Sequence, residues 1–485
     1  MPDAQSRVAV PGSARTPLPD AQQLHTPLPD ERLEVTVRLR PKTPLPALLE
    51  TSPLADAPPQ QRTYLSREEL TQQYGADPHD IKQVTDFARA HGLVVVHTSV
   101  AERSVQLAGT TAEFEAAFGA RLHQYSYPEG TYRGRTGVVT VPAALGAIVQ
   151  GVFGLDDRPQ AEAHFRVRPP AGAIVAHAVN QAFTPPQLAK LYQFPSGLDG
   201  SGQTIAIIEL GGGFKPADLK TYFAGLKLPV PTVKVVSVNG GRNQPTNANS
   251  ADGEVLLDME VAAAVAPKAK LVVYFAPNTS QGFLNAITTA IHDKTNKPSV
   301  ISISWGGPES TWTAQAINQF DQAFQAAALL GITVCCAAGD NGSADGVADG
   351  QPHADFPASS PYALACGGTK LVASGTTISS EVVWNEGTDS ATGGGGQLER
   401  LLISRDGKMR AQAAAGGAVG AFVPHHFAAD GGAASHELGA TAGQRIGAAG
   451  RKVGVRLAVG HAIGRAVVAG RAAHRDAQQR GRLES

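Results

Sequence analysis

Four continuous apolar runs in the middle of the chain constrain its fold more than any other feature. They read QTIAIIEL, KLVVYFA, VISISWG and TVCCAAGD, and apolar residues do not alternate with polar ones in them. Such runs are typical of strands buried on both faces of a parallel sheet. Helical patterns lie among them, at 216–225, 253–265, 280–292 and 313–330. We therefore predict a doubly wound α/β domain with right-handed crossovers from about residue 183 to 395.

The region from about residue 33 to 165 has a different pattern. LEVTVRLRP alternates apolar and polar residues, as a half-buried strand does, and VVVHTSV and SVQLAG also read as strands. DPHDIKQVTDFARAHG reads as a helix with Asp77 as its N-cap, and TTAEFEAAFG reads as a second helix. In the second helix Thr110 and Glu113 have the spacing of a capping box. These patterns predict a small α+β unit.

The two segments that flank this unit lack a folding pattern. Residues 1–32 contain the repeat TPLPD at 16–20 and again at 26–30, and this proline density predicts a disordered lead. Residues 166–182 begin RVRPPAGAIVAHAVN, with prolines and small residues that offer little to pack. We predict that they form a linker.

Composition and charge exclude several classes of function. The 41 basic and 42 acidic side chains nearly cancel, so the chain has no electrostatic footprint for nucleic acid. No apolar stretch reaches the length of a membrane span, and the N-terminus lacks the apolar core of a recognisable signal peptide. Three cysteines, Cys335, Cys336 and Cys366, are too few for a disulfide framework and are expected to be buried thiols.

Two carboxylates occupy an unexpected place in the stretch DGEVLLDMEVAAAVAP. Glu254 and Asp258 are four residues apart, so they share one face of a helix that is otherwise largely apolar. Like charges at this spacing repel by a few tenths of a kcal/mol even in water, and burial increases that cost. Glu254 alone has a structural explanation, because an acid near a helix N-terminus is favoured by the helix dipole.

Three further polar residues follow the predicted strands. Glu209 ends the run QTIAIIE, Trp305 ends VISISW, and Asp340 follows TVCCAAG. Ligands of open α/β sheets bind outside the carboxyl ends of the strands, so these residues are expected to meet Glu254 and Asp258 at one edge. Asp340 alone could instead open a turn with Gly342.

Several long motifs resemble the sedolisin family of serine-carboxyl peptidases. They are AIIELGGG, DGEVLLDMEVAAAVAP, YFAPNTSQGFLNAI, SISWGGPE, AAGDNGS, DFPASSPY and ACGGTKLVAS, within residues 183–395. VFGLDDRP and AHFRVR, at the end of the 33–165 region, resemble the family's activation prodomain. The resemblance implies a subtilisin-like fold and an extracellular endopeptidase that acts in acid. It also implies a bound calcium ion, protein or peptide substrates, and a prodomain that serves as intramolecular inhibitor and chaperone.

By the same resemblance, Glu254 is the general base, Asp258 its supporting carboxylate and Asp340 the acid of the oxyanion hole. Glu209 and Trp305 are expected to extend the hydrogen-bond chain behind them. The chemistry is consistent with these roles, because a carboxylate still accepts a proton at a pH where histidine is already protonated. A protonated Asp340 could donate a hydrogen bond to a developing oxyanion.

The family's nucleophile, the serine of a Gly-Thr-Ser motif, has no counterpart in this chain. Residues 445–460 contain no serine, and Ser435, in GAASHELG, lacks the flanking threonine and proline. No counterparts of the family's calcium ligands are found either, so neither a nucleophile nor a metal ligand is assigned.

The tail at 396–485 is rich in Ala, Gly and Arg and contains no Trp or Tyr. This composition favours a change of reading frame near the glycines at 393–396, and a replacement domain is the alternative. We expect an inactive version of a serine-carboxyl peptidase. The competing hypothesis is a non-catalytic protein that binds peptides or a partner, whereas the absence of an HExxH motif argues against a metal-dependent hydrolase.

Overall fold

The computed structural model describes residues 6–46, 61–163, 183–247, 250–374 and 377–383. The predicted linker at 166–182 and the tail at 396–485 lie outside the described residues. None of the helices in the described ranges is long and apolar enough to cross a membrane.

The N-terminal unit, residues 6–163, contains three described helices and ten described strands. The helices are α1 (Arg67–Tyr74), α2 (Pro78–Ala90) and α3 (Thr111–Phe118). The strands are β1 (Arg7–Ala9), β2 (Gln22–Gln23), β3 (Arg32–Leu39), β4 (Val94–Ser99), β5 (Ser104–Thr110), β6 (Leu122–Tyr127), β7 (Gly130–Arg135), β8 (Thr140–Pro142), β9 (Val149–Phe153) and β10 (Glu162–Ala163). An antiparallel sheet in the order β4-β5-β3-β9 forms its centre.

The two helices predicted in this unit are confirmed together with their caps. Asp77 accepts a hydrogen bond from the amide of His79 at 2.8 Å, and Thr110 and Glu113 form the reciprocal capping box. Helix α1 was not predicted from the sequence. Only Leu70 in it is buried, so it lacks the apolar stripe by which an amphipathic helix is detected, and its signal is a capping box of Ser66 with Glu69.

The prediction of a disordered lead at 1–32 is wrong from residue 6 onward. Strand β1 pairs with β8, β2 pairs with β6, and Val10 is only 1% exposed. Arg15 is buried and donates a hydrogen bond to the Gln160 side chain at 3.0 Å. Proline cannot donate a hydrogen bond to a neighbouring strand, so it is excluded from strand interiors but is compatible with short edge strands. A few buried residues between the prolines are enough to order this segment.

The α/β unit begins at residue 183. Its helices are α4 (Pro185–Leu191), α5 (Pro216–Leu226), α6 (Asp252–Val265), α7 (Ser280–His292) and α8 (Ala314–Leu329). Its strands are β11 (Thr204–Glu209), β12 (Val233–Ser237), β13 (Lys270–Phe275), β14 (Val300–Ile303), β15 (Trp305–Pro308), β16 (Thr333–Ala337), β17 (Asp355–Phe356), β18 (Leu364–Cys366), β19 (Thr369–Ser374) and β20 (Thr377–Val383).

The four apolar runs form the central strands of a parallel sheet, as predicted. Among the described residues its six strands lie in the order β12-β13-β11-β14-β16-β18, and every pairing between neighbours is parallel. Alternate side chains of β11 enter two separate apolar clusters, one with α7 and α8 and the other with α5 and α6. Burial on both faces explains why the runs are apolar throughout.

The N-terminal unit packs on the α7–α8 face of this sheet. Val35 and Val37 of β3 point into the core of the N-terminal unit, whereas Thr36 between them accepts hydrogen bonds from α7. The donors are the side-chain amides of Gln281 and Asn285, each at 3.0 Å from Thr36 Oγ1. Strand β3 therefore packs one face in the core of the N-terminal unit and docks its other face against α7.

We expect Val10→Ala to lower the free energy of unfolding by about 2 kcal/mol, because it removes buried apolar surface and leaves a cavity. Val8→Ala is the matched control, since Val8 is 37% exposed and its truncation should change stability by less than about 0.5 kcal/mol. Chemical denaturation of both variants provides the measurement. Equal effects would contradict an anchored lead.

Candidate active site

Three neighbouring strands of the parallel sheet end at the candidate site. Glu209 is the last residue of β11, Ser304 follows β14, and Asp340 lies three residues beyond β16. Because β11, β14 and β16 are adjacent and parallel, their carboxyl ends lie at the same edge. The predicted convergence at this edge is therefore observed in the backbone.

Helix α6 brings the two acidic side chains to this edge. Val255, Met259 and Ala262 pack into the apolar cluster beneath the sheet and fix the rotation of the helix. Glu254 and Asp258 are 1% and 3% exposed, so both carboxyl groups are withdrawn from water. Such burial is costly unless the groups are hydrogen-bonded or protonated.

Asp258 accepts a hydrogen bond from a residue that the sequence analysis missed. Ser304 Oγ lies 2.8 Å from Oδ1 and 2.9 Å from Oδ2 of Asp258, and its hydroxyl proton is shared between them. The indole of Trp305, on β15, donates a hydrogen bond to Oε2 of Glu209, on β11, at 2.9 Å. Ser304 directly precedes Trp305 at the strand end, and this adjacency was the only available signal for it.

Burial raises the pKa of Glu254 well above its usual range. The nearby carboxyl groups of Asp258, Glu209 and Asp340 raise that pKa further, in that order of strength. Burial also raises the pKa of Glu209, with Asp258 as the next cause. These acids therefore cannot all ionise independently, and protons are shared among them.

Asp340 lies within electrostatic range of this cluster and is 6% exposed. The five side chains that the sequence predicted to converge are therefore all at one end of the sheet. Their catalytic roles stay predictions. Ser304 is an addition to this set.

A second carboxyl pair adjoins Asp340 and was also missed. Burial raises the pKa of Asp355 on β17 well above its usual range, and Asp345 and then Asp340 add to this effect. Burial, with Glu162 as the next cause, raises the pKa of Asp345 to about 6. Asp355 lies within the DFPASSPY motif, but no pattern in that motif pointed to a buried acid pair.

The His, Cys, Asp and Glu side chains of the described residues form no metal-ligand cluster, and the cysteines are buried. Within the ranges that the structure covers, no three His, Cys, Asp or Glu side chains are grouped so that they could hold a metal ion. Cys335, Cys336 and Cys366 are free and buried, as expected.

Comparison with known proteins identifies the family. Residues 19–158 match the model "Pro-kumamolisin, activation domain", and residues 240–417 match the model of the subtilase family. The chain is 48% identical over 399 residues to kumamolisin from Bacillus sp. strain MN-32, covering 81% of this chain and 72% of kumamolisin. It belongs to the sedolisin family of serine-carboxyl peptidases.

More distant members of the sedolisin family align over similar lengths. Tripeptidyl-peptidase sed5 from Aspergillus fumigatus is 30% identical, with 74% of this chain and 65% of that protein covered. Sedolisin from Pseudomonas sp. strain 101 is 28% identical, with 68% and 60% covered. A solved structure of Pseudomonas sedolisin with pseudo-iodotyrostatin matches at a TM-score of 0.40 and 26% identity, covering 45% of this chain and 62% of that one.

The pKa shifts predict how stability depends on pH. Burial raises the pKa of Asp258 to about 7 from the usual 3.8, so the folded state holds this proton more tightly than the unfolded state does. The stability contributed by the bound proton is fully present below about pH 4. It falls by up to about 1.4 kcal/mol per pH unit between about pH 4 and 7.

We therefore expect Asp258→Asn to stabilise the protein at pH 7 relative to its effect at pH 4, and to flatten this slope. Denaturation midpoints across the pH range test the expectation. Asp218→Asn on α5, an exposed position, is the control and should leave the slope unchanged. A slope unaffected by Asp258→Asn would show that Asp258 is ionised throughout.

Proposed function

We propose that this chain has the architecture of an acid-acting endopeptidase zymogen, in which Glu254 and Asp258 form the proton-transfer pair. The observation that carries the proposal is the buried carboxyl pair on α6, whose protons are coupled to Glu209 and Asp340. A structural role would be met at lower free-energy cost by apolar side chains, since buried like charges oppose folding. Perturbed carboxyl groups at the end of a parallel sheet are typical of catalytic sites.

Each residue has a distinct part in the proposed reaction. A serine hydroxyl beside Glu254 would pass its proton to that carboxylate while its oxygen bonds to the peptide carbonyl carbon. Asp258, which accepts a hydrogen bond from Ser304, would share the transferred proton with Glu254. A protonated Asp340 would donate a hydrogen bond to the new oxyanion. Glu254 would then return the proton to the amine as the peptide C–N bond breaks. Glu209 and Trp305 would keep the carboxyl groups in position.

The nucleophile of this reaction is missing from the chain's sequence. No Gly-Thr-Ser motif occurs anywhere in the 485 residues. We therefore infer that the present chain is a peptidase scaffold without turnover, and the 396–485 tail stands where the family carries its serine. Protein or peptide substrates, acid pH and an extracellular location are carried over from the family as part of this proposal.

The proposed activation domain spans 33–165 and the proposed peptidase domain 183–395. Support for an inhibitory role comes from where the N-terminal unit ends. Strand β10 pairs antiparallel with β15, placing Ala163 opposite Trp305 and Glu162 opposite Gly306. The end of the N-terminal unit thus occupies an extended position beside the carboxyl cluster, where a peptide would bind.

The Asn278 side chain binds the backbone of the segment that leads into β10. Asn278 Oδ1 accepts hydrogen bonds from the amides of Gln160 and Ala161 at 3.2 and 3.0 Å, and its Nδ2 donates to Ala161 O at 2.6 Å. These three hydrogen bonds are made to backbone atoms, so they do not depend on the side chains of the segment. They would suit any extended peptide segment at this position.

The second candidate is a non-catalytic protein that binds peptides. Two observations favour it. The sequence lacks the nucleophile, and β15 pairs with the extended segment β10 in the way that it would pair with a bound peptide. The two candidate functions predict different results in one experiment. Only the peptidase candidate predicts turnover after the C-terminal part is restored.

Replacing residues 397–485 with the C-terminal segment of kumamolisin is expected to give peptide hydrolysis between about pH 3 and pH 7. Glu254→Gln in this chimera should lower kcat by about 100-fold or more, because the proton acceptor is lost. Glu260→Gln on the same helix is the matched control and should leave kcat within about twofold. A folded but inactive chimera favours the peptide-binding candidate, and hydrolysis by the unmodified chain would contradict the missing nucleophile.

Removing the Asn278 side chain should loosen the segment before β10. We expect amide hydrogen exchange at residues 160–163 to accelerate by about tenfold or more in Asn278→Ala, since each lost hydrogen bond is worth about 1 kcal/mol. Asn318→Ala, which truncates an exposed asparagine of α8, is the control. Unchanged exchange would show that strand pairing and the contacts of Gln160 with Arg15 and Ser280 hold the segment without Asn278.

A further inference from the structure

A small cavity lies between the N-terminal unit and the α/β unit, on the side away from the carboxyl cluster. Its volume is about 20 Å³, enough for one or two water-sized occupants. Arg38 of β3 and Arg103 of the β4–β5 turn line it from the N-terminal unit. Thr288 and His292 of α7 line it from the other unit. An occupant would therefore touch both units.

The two arginines carry positive charge into this interface. Arg38 is 1% exposed, and its Nε and Nη1 atoms form no hydrogen bond with any described group. Arg103 is 6% exposed and donates to Gln322 Oε1 of α8 at 2.6 Å, which is a neutral partner. Burial lowers the pKa of Arg38 to about 10 and that of Arg103 to about 9, so both guanidinium groups remain charged at neutral and acidic pH.

The remaining charged groups do not balance these two. Glu102 attracts Arg38 but lies partly exposed at the rim of the cavity. On the facing side, Arg67 of α1 and Lys294 after α7 add positive charge near His292. Arg67 is directed to the carbonyl oxygens of Ile291 and Pro298, and Lys294 pairs with Glu68 on the surface.

His292 contributes a polar atom rather than a counter-charge. Its Nδ1 atom is fully buried and has no hydrogen-bond partner in the described chain. Burial, followed by Arg38 and Arg103, lowers the pKa of His292 to about 3, so the imidazole is neutral over most of the acid range. A neutral imidazole can direct an N–H toward an anion.

We propose that this cavity is a binding site for a small monovalent anion, chloride in the first instance, held between Arg38 and Arg103 of the N-terminal unit and His292 of α7. Burying unpaired charge is costly, and a bound anion would supply the missing acceptor for Arg38 Nε and Nη1. The cavity admits one or two water-sized occupants, which suits a monatomic anion. Because both units provide ligands, the anion stabilises their docked arrangement. This site does not depend on a catalytic role for the carboxyl cluster.

The first test measures thermal unfolding of the full chain in sodium chloride and in sodium gluconate at matched ionic strength. Chloride should raise Tm by about 2–4 °C with a saturable dependence, since a ligand that binds only the folded state stabilises it. Gluconate is too large for the cavity and controls for screening. Identical Tm values in the two salts would overturn the proposal, and this readout requires no variant.

The second test locates the site by chloride NMR linewidth, which broadens when chloride exchanges with a protein site. Arg38→Met should abolish the protein-dependent excess linewidth. Arg32→Met removes the same charge from an exposed position on the same strand and should retain most of it. Equal loss in both variants, or no loss in Arg38→Met, would place any bound chloride elsewhere and overturn the assignment.

Discussion

Burial of several carboxyl groups at one end of a parallel sheet is the constraint on which the rest of this structure depends. Glu209, Glu254 and Asp258 are each at most 3% exposed, and their charges oppose one another. A fold can hold such a group only if its apolar interior supplies the necessary stability elsewhere. The doubly buried sheet, with helices over both faces, provides that interior.

The same constraint explains why the helix that carries Glu254 and Asp258 is apolar on nearly every side. One face of α6 packs beneath β11 and β13, so the acids cannot turn toward water without unpacking Val255 and Met259. Asp258 instead accepts a hydrogen bond from Ser304 at the end of β14, just as Glu209 on β11 accepts one from Trp305. Their proton affinity is therefore set by the packing of the sheet.

The sequence predicted the parts of the fold that follow from strong local patterns. The apolar runs are strands of the parallel sheet, and the capping residues Asp77 and Thr110 begin their helices as expected. The convergence of Glu209, Trp305 and Asp340 followed from the rule that parallel strands end at a common edge, and the motifs of the family added their proposed roles.

What the sequence did not predict depends on contacts between distant residues. Val10 is buried because β1 pairs with a strand more than 130 positions away, and no local pattern in a proline-rich segment encodes that pairing. Ser304 gains its importance only when β14 is placed beside α6, and Asp355 only when β17 joins β15. Arg38 looks like an ordinary outward residue of an alternating strand until α7 covers that face. Tertiary packing decides all of these cases.

The pairing of β10 with β15 has a consequence for any peptide that approaches from solution. Strand β15 already pairs with β17 on its other side, so its two edges are both occupied in the described chain. Under the proposed function, an incoming peptide would compete for β15 with a segment that belongs to the same molecule. A tethered competitor of this kind acts at an effective concentration of roughly millimolar, independent of how dilute the protein is. Dilution would therefore not expose β15 to such a peptide, whereas a change that weakens the tethered strand would.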